Sequence, residues 1–377
     1  MIPLSKLLID KDELVEIEKV LQSGWLTKGP RNLELEKMVS EYLGVKHVVC
    51  TSSCTTALHL AVLGLNLIEG SEILVSDYTF PATGHAVRYC NLKPVFVDID
   101  SKTYNMDPNN LRTKIIEKSK AIIVVHMFGQ SAEMDEIMVI ANEFNLPVIE
   151  DAACSLGSKY KDKFSGTIGR IGCFSMHATK GVSSGEGGLL VTNDDRIAEK
   201  VRSLVVFGQR SSWDRETSKE FRIETFDSIG FNYKMSDLAA SFGIAQFKKL
   251  EKVIEKKNIL AKYWNKKLKE VDYILPPYVN KWNKHNYQSY CCLVTPEVNR
   301  NKLIQILKSR GIQTQIGTYS SYIQPCYDNL SDNCLVSLDV YNRSIRLPMF
   351  YELRKIEIDY IVEVLKEVKQ EVLIERR

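Results

Sequence analysis

The chain has 377 residues, more than the about 250 to 300 at which a single hydrophobic core stops growing, so two lobes are expected. With 44% hydrophobic and 26% charged residues it has an ordinary globular composition, and no stretch approaches the roughly 18 apolar residues of a membrane span, so no membrane association is expected. Fifty basic against forty-seven acidic residues leave +3 with no lysine and arginine block, which argues against nucleic acid as a partner.

Met1-Ile2-Pro3-Leu4-Ser5-Lys6 lacks the basic stretch and long apolar run of a secretory signal, so a cytoplasmic location is expected. The nine cysteines are scattered, and the one close pair, Cys291-Cys292, is adjacent. That spacing suits no zinc loop, so no metal is expected and the thiols are read as free.

From residue 46 to about 195, short runs rich in Val and Ile alternate with helical patterns, as when parallel strands are joined by crossover helices. The runs are His47 to Cys50, Ile73 to Val75, Pro94 to Val97, Ala121 to Val125, Pro147 to Ile149, Cys173 to Ser175 and Leu189 to Val191. Seven strands predict one large sheet of the α/β doubly wound class, and their nearly continuous apolar character predicts helices on both faces. Residues 236 to 270 read as one long helix leading out of this unit, with Lys248-Lys249 and Lys256-Lys257 on its solvated face. The remainder, with strands at 290 to 294 and 312 to 316 and helices at 299 to 309 and 356 to 372, predicts a smaller α+β domain. The boundary is placed at 245/246: a large domain of residues 1–245 and a small one of 246–377.

In such sheets ligands collect beyond the carboxyl ends of the strands. Ser53-Cys54-Thr55-Thr56 lies between a strand and a helix, where free N–H groups and hydroxyls would face an anion. Asp151 follows a buried strand, where a carboxylate calls for a cationic partner such as a protonated pyridine nitrogen. Lys180 stands one strand further on, in a stretch ending Gly185-Glu186-Gly187-Gly188, and the glycines suggest close backbone approach. A lysine shielded from water is cationic only with difficulty, which frees its amine for covalent and proton-transfer work. Taken singly, each has a plainer reading: a helix N-cap, a loop-capping acid, a surface charge.

Together the motifs carry a resemblance. Ser-x-Thr-x-Ala-Leu (53–58), Thr-Phe-x-Ala-Thr (79–83), Val-His-x-Phe-Gly (125–129), Glu-Asp-Ala-Ala (150–153), Phe-Ser-x-His-Ala-Thr-Lys (174–180), Gly-Glu-Gly-Gly (185–188) and Gly-Phe-Asn-Tyr-Lys-Met (230–235) occur in collinear order. With Ile2-Pro3-Leu4, Gly24 to Pro30 and Leu347-Pro348, the chain resembles the DegT/DnrJ/EryC1/StrS family of sugar aminotransferases, which depend on pyridoxal 5′-phosphate (PLP). The resemblance implies the fold type I architecture of aspartate aminotransferase and a homodimer with shared active sites. It also implies transfer of an amino group from L-glutamate to a nucleotide-linked keto-deoxy sugar, with pyridoxamine 5′-phosphate as the intermediate form.

Carried over residue by residue, Lys180 would be the cofactor's Schiff-base lysine and Asp151 the pyridinium partner, the two catalytic residues. Phe80 would be the aromatic plate against the ring. Cys54, Thr55 and Ser175 would hold the phosphate, reached also by Asn232 of a second subunit. Cys154 stands where the family usually has a glutamine supporting the ring oxygen, and Cys54 where it usually has glycine. Arg170 and Lys234 stand where it commonly has aspartate and arginine. Trp25, Thr27, Lys28, His126, Glu186, His285, Tyr319 and Gln324 are candidates for the sugar side.

Glu186 resembles members that aminate carbon 4 of the sugar, those acting on carbon 3 more often having aspartate there. The alternatives are C3 amination and a catalytically silent PLP-binding regulator. Related sugar dehydratases replace the lysine by histidine, and a cysteine desulfurase would need a mobile-loop cysteine.

Overall fold

The computed structural model describes residues 1–210, 223–327 and 333–374. Two helices open the chain, α1 (Lys11–Ser23) and α2 (Pro30–Leu43). Asp10 and Glu13 form a capping box at the start of α1, while Gly24 and Gly44 close the two helices in the left-handed conformation that glycine adopts without a Cβ clash. There follow β1 (His47–Thr51), α3 (Cys54–Gly64), β2 (Glu72–Ser76), β3 (Tyr78–Thr79), α4 (Ala82–Arg88), β4 (Lys93–Val97), α5 (Pro108–Lys114), β5 (Ser119–Val125), α6 (Met134–Glu143) and β6 (Val148–Asp151). A short hairpin, β7 (Lys159–Tyr160) and β8 (Lys163–Phe164), precedes β9 (Ile171–Ser175), β10 (Gly188–Thr192) and α7 (Asp195–Val205).

All seven runs seen in the sequence enter one sheet, in the order β1-β10-β9-β6-β5-β2-β4. Every residue of β2, β6, β9 and β10 is buried, as expected of strands covered on both faces. The sheet is parallel except for β10, which runs antiparallel to both its neighbours. Its first residue, Gly188, therefore pairs with Thr51 and Ser175, the last residues of β1 and β9. The Gly-rich entry to β10 thus lies on the same sheet edge as the carboxyl ends of the other strands.

The helix expected over 236 to 270 is two: α8 (Asp237–Phe247), packed on α1 and α2, and α9 (Leu250–Lys267). They part at Lys248 and Lys249, and the Lys249 amine turns back onto Glu13 (2.7 Å) and Asp10 (2.6 Å) beneath α1. Lys249 and Lys257 are buried, contrary to the solvated face read from the sequence. A 3.6-residue repeat does not distinguish a lysine that finds buried carboxylates from one in water, and no Gly or Pro marks the break.

Beyond α9 come β11 (Ile274–Leu275), β12 (Asn283–Lys284), β13 (Tyr290–Val294), α10 (Arg300–Ser309), β14 (Gln315–Ile316), β15 (Tyr319–Ser320), α11 (Leu335–Arg343), β16 (Ser344–Leu347), α12 (Lys355–Glu367) and α13 (Lys369–Val372). The expected strand at 312 to 316 is only its last two residues; Ile312 instead makes an isolated bridge to Ile2. The helix expected over 356 to 372 is divided between α12 and α13. An antiparallel sheet, β11-β13-β16-β14, packs with α9, α10 and α12 around a core that includes Trp264, Tyr290, Ile345 and Leu365.

From β14 the chain crosses to the large sheet's edge, where β15 pairs with β3 in a separate two-stranded sheet, Tyr319 opposite Thr79. Two buried carboxylates fasten this crossing. Asp77 accepts from Ser320 Oγ (2.6 Å), the Tyr322 N–H (2.7 Å) and Ser337 Oγ, and Asp98 accepts the N–H groups of Val336 (3.0 Å) and Ser337 (2.8 Å).

Candidate active site

A cleft of about 420 Å³ opens where the strands of the large sheet end. Its floor is built from three such ends and the entry to β10: Cys54 and Thr55 after β1, Asp151 and Cys154 at β6, Ser175 at the end of β9 with Lys180 beyond it, and Glu186 and Gly187 before β10. Phe80 and Thr83 come from the turn and helix after β3, and the roof is Gln288, residues 315–319 and Arg346 from the C-terminal part.

At one end the Ser53 hydroxyl caps α3 by accepting the Thr56 N–H at 3.2 Å. The N–H groups of Cys54 and Thr55, which have no partner within the helix, are left at the cleft wall. This closeness depends on Gly188, since a Cβ there would lie 2.3 Å from the Ser53 carbonyl carbon and 2.5 Å from the Cys54 nitrogen. A helix N-terminus with two open N–H groups, lined by Ser175, suits a phosphate.

Asp151 sits at the centre, 5% exposed. Its Oδ2 accepts from the Thr83 hydroxyl (2.7 Å) and its Oδ1 from the Ala153 N–H (3.1 Å). Thr79 lies 2.8 Å from Thr83; because the Thr83 proton points to Asp151, Thr79 is the donor in that pair. Burial raises the Asp151 carboxyl above its ordinary value, against the lowering effect of Thr83, the Ala153 N–H and Lys180. Among the described residues Asp151 has no salt bridge, so a cationic ring nitrogen would supply its missing counter-charge.

Lys180 follows β9 in a turn closed by its own N–H to the His177 carbonyl (2.9 Å), and its amine is 3.2 Å from the Cys154 sulfur. Burial alone would lower it, but Cys154, Cys54 and Asp151 outweigh burial and hold it above the usual lysine value. Without a cofactor this amine is therefore held protonated, which corrects the expectation that burial would discharge it.

Phe80, 63% exposed at the mouth, meets Tyr319 edge to face with centroids 6.3 Å apart. Glu186 is exposed beside His177 (3.5 Å). Cys54, Thr55, Phe80, Asp151, Cys154, Ser175, Lys180, Glu186 and Tyr319 thus meet in one cleft.

Other candidates do not enter it. His126 is fully buried behind the sheet, with Nε2 2.7 Å from Glu150 and Nδ1 accepting the Ala132 N–H (3.1 Å). His285 is buried and stacked on Tyr287; burial, reinforced by Lys257, pushes it down to about 3. Gln324 donates to the Ser320 carbonyl (2.9 Å) within its own turn. None of the three lines this chain's own cleft. Trp25, Thr27, Lys28 and Asn232 also lie outside it; the Trp25 ring N–H donates to the Lys28 carbonyl (2.9 Å), and Lys234 donates to Asn232 (2.6 Å).

Sequence reasoning missed Thr83, Gln288 and Arg346. Gln288 donates to the Thr179 carbonyl (3.1 Å), and Arg346 donates from Nε to the Ile316 carbonyl (2.8 Å), leaving its terminal nitrogens for a ligand. Thr83 falls inside the Thr-Phe-x-Ala-Thr motif, so that signal was available; the other two lie outside any motif.

A buried acid with no salt bridge among the described residues, a lysine amine and a helix terminus with two open N–H groups in one cleft make up the groups that PLP requires, and the comparisons agree. The family model described as the DegT/DnrJ/EryC1/StrS aminotransferase family matches residues 8–366. The chain belongs to this family. It is thereby a PLP-dependent aminotransferase of nucleotide-linked sugars with the fold type I architecture. Among its relatives, the spore coat polysaccharide biosynthesis protein SpsC of Bacillus subtilis is 32% identical, over 97% of each chain. The GDP-perosamine synthase of Caulobacter vibrioides is 31% identical, over 96% of each chain. Among solved structures, Spr1654 of Streptococcus pneumoniae in its PMP form superposes with a TM-score of 0.92 at 26% identity, covering 99% of this chain and 100% of that one.

Proposed function

We propose that the protein moves an amino group from L-glutamate to carbon 4 of a nucleotide-linked keto-deoxy sugar, as a homodimer in the cytoplasm, in the making of a surface glycan or a related amino sugar. The observation that carries this reading is the buried Asp151, with no salt bridge among the described residues, in the same cleft as Lys180. Asp151 holds the cofactor's ring nitrogen in its charged form, kept in place by the Thr79–Thr83 relay. The Cys54 and Thr55 N–H groups with Ser175 hold the phosphate, Phe80 covers the ring, and Asn232 reaches the phosphate of the neighbouring subunit. Cys154, as a weak donor, takes the place of the usual glutamine.

When bound, PLP supplies the electron sink that makes a carbon–hydrogen bond beside nitrogen acidic. The Lys180 amine takes the proton from the α-carbon of L-glutamate in one half-reaction and returns a proton to the sugar carbon in the other. Arg346 and Gln288 on the roof orient anionic and polar substrate groups, and β15 sets Tyr319 beside Phe80 at the mouth. Residues 1–245 and 246–377 act as the two lobes that close on substrate. C4 rather than C3 amination is supported by Glu186 at the cleft wall.

The test is to supply PLP-loaded protein with L-glutamate and a panel of 4-keto and 3-keto nucleotide sugars. 2-Oxoglutarate together with an aminated 4-keto product, identified by mass, is expected. Amination of the 3-keto compounds alone would reverse the C4 assignment, and no response to L-glutamate would exclude it as the donor.

A further inference from the structure

Strand β16 has a different environment on each of its faces. Ile345 and Leu347 enter the core of the small sheet, so Arg346 between them points the opposite way. That is the face on which its cross-strand neighbour Cys291 joins a cluster with Tyr78 and Phe128 of the large domain. There Arg346 lines the cleft, the one arginine or lysine besides Lys180 that does so among the described residues. Its Nε donates to the Ile316 carbonyl (2.8 Å), and among the described residues it makes no salt bridge. The carboxylates lining the cleft are engaged elsewhere: Asp151 with Thr83 and the Ala153 N–H, Glu186 beside His177. Held at one nitrogen, the guanidinium presents its two terminal ones, the edge that meets an oxyanion through two parallel hydrogen bonds.

A second donor stands beside it. Gln315 lies directly opposite Arg346 in the β14–β16 register, which in an antiparallel pair puts both side chains on one face with their Cβ atoms about 5 Å apart. Its amide oxygen accepts the Ile316 N–H (3.1 Å), which leaves its NH2 group as a donor, and it too lines the cleft. Both side chains are thus anchored on one residue, Ile316, with their free N–H groups on the cleft side.

We infer that Arg346 and Gln315 form an oxyanion subsite that binds a carboxylate of the amino donor. The inference rests on the reading of this cleft as the place where an amino acid and a keto sugar react in turn at Lys180. An amino acid carries a carboxylate on the very carbon whose proton Lys180 takes. The carbons beside a sugar's keto group carry only hydrogen or hydroxyl, and the nucleotide's diphosphate lies across the ring from a keto group at carbon 4. A guanidinium in the same cleft as Lys180 therefore matches the first substrate rather than the second.

The test uses the PLP-loaded protein and glutarate, a dicarboxylate with no amino group, which can occupy a donor site without reacting there. Calorimetry follows its binding. Arg346→Gln is expected to weaken it by about 10- to 100-fold, the effect of losing paired hydrogen bonds to a charged group. Arg346→Lys keeps the charge without the fork and is expected to recover part of the loss. Gln315→Met, at an exposed position on an edge strand, is expected to weaken glutarate by about three- to tenfold. Parallel titrations with UDP, GDP and dTDP are expected to give the same Kd in the wild type and in all three variants.

Equal glutarate affinity in wild type and Arg346→Gln, or no glutarate binding by the wild type, would overturn the inference. So would an equal or larger loss with the nucleoside diphosphates. If glutarate affinity fell as expected while L-glutamate left the wild-type cofactor unchanged, the L-glutamate reading would fall and the carboxylate subsite would stand.

Discussion

A buried carboxylate at a cleft wall with no salt bridge among the described residues is prepared for a cation brought from outside, and Asp151 is such a group. Its support is a single hydroxyl and a single N–H. Thr83→Val removes the hydroxyl while keeping the volume, so it is expected to weaken PLP affinity by about tenfold, near the value of one hydrogen bond to a charged group. A cofactor titration followed by absorbance measures this. Lys180→Ala is expected to lower turnover by about 10² to 10⁴ with folding intact, the range lost when a positioned proton carrier is removed.

His126 belongs to a different account. Its ring joins Glu150, which also accepts the N–H groups of Gly166 (2.6 Å), Ile168 (2.6 Å) and Gly169, so it secures the loop ahead of β9. His126→Ala is expected to cost about 1 to 3 kcal/mol in denaturant unfolding, with the KM for sugar substrate unmoved. In the sequence, Asp151 was legible because it ends a strand, and Lys180 because it lies in the turn just beyond one, where the doubly wound rule directs attention. His126 ends a strand too, and only the structure shows its ring turned inward to Glu150. Residue order fixes which edge a side chain is near, not which way it points.

At the scale of elements, the site depends on how closely β10 and α3 approach. Gly188→Ala would place a methyl group against the Ser53 carbonyl. It is expected to lower PLP affinity by more than about tenfold and to reduce stability by about 1 to 3 kcal/mol, read by cofactor titration and thermal unfolding.

The clasp that brings β15 to β3 answers to pH. Burial pushes the Asp77 carboxyl up to about 6, against 3.8 for an unperturbed aspartate. The folded protein therefore holds this proton more tightly than the unfolded chain. The resulting contribution is fully present below about pH 4 and is lost as the pH rises through about 6. The stability of the wild type relative to Asp77→Asn is expected to fall by roughly 3 kcal/mol across that window, and a difference that does not vary with pH would contradict this.

The seven strands of the large sheet were legible as apolar runs, and the Gly-rich entry to β10 pointed correctly to close packing. The break between α8 and α9 was not, because it is made by Lys249 reaching carboxylates more than two hundred residues away in sequence. The two-residue strands β3 and β15, which roof the cleft, are too short to show any periodicity.

For the whole molecule, the cleft of one chain holds Lys180, Asp151 and the helix terminus, whereas Asn232 and the Trp25 to Lys28 segment face elsewhere. That division is the one expected if a second copy completes each site. Mixing Lys180→Ala with Asn232→Asp, each inactive alone, is expected to restore part of the activity in hybrid dimers, and no recovery after subunit exchange would count against shared sites.

The central claim concerns one bond, and one measurement addresses it. Borohydride reduction of the PLP-loaded protein, followed by peptide mapping, reads out which amine carries the cofactor. The modification is expected on the peptide containing Lys180. Its appearance on Lys257 or any other lysine, with Lys180 unmodified, would contradict the account.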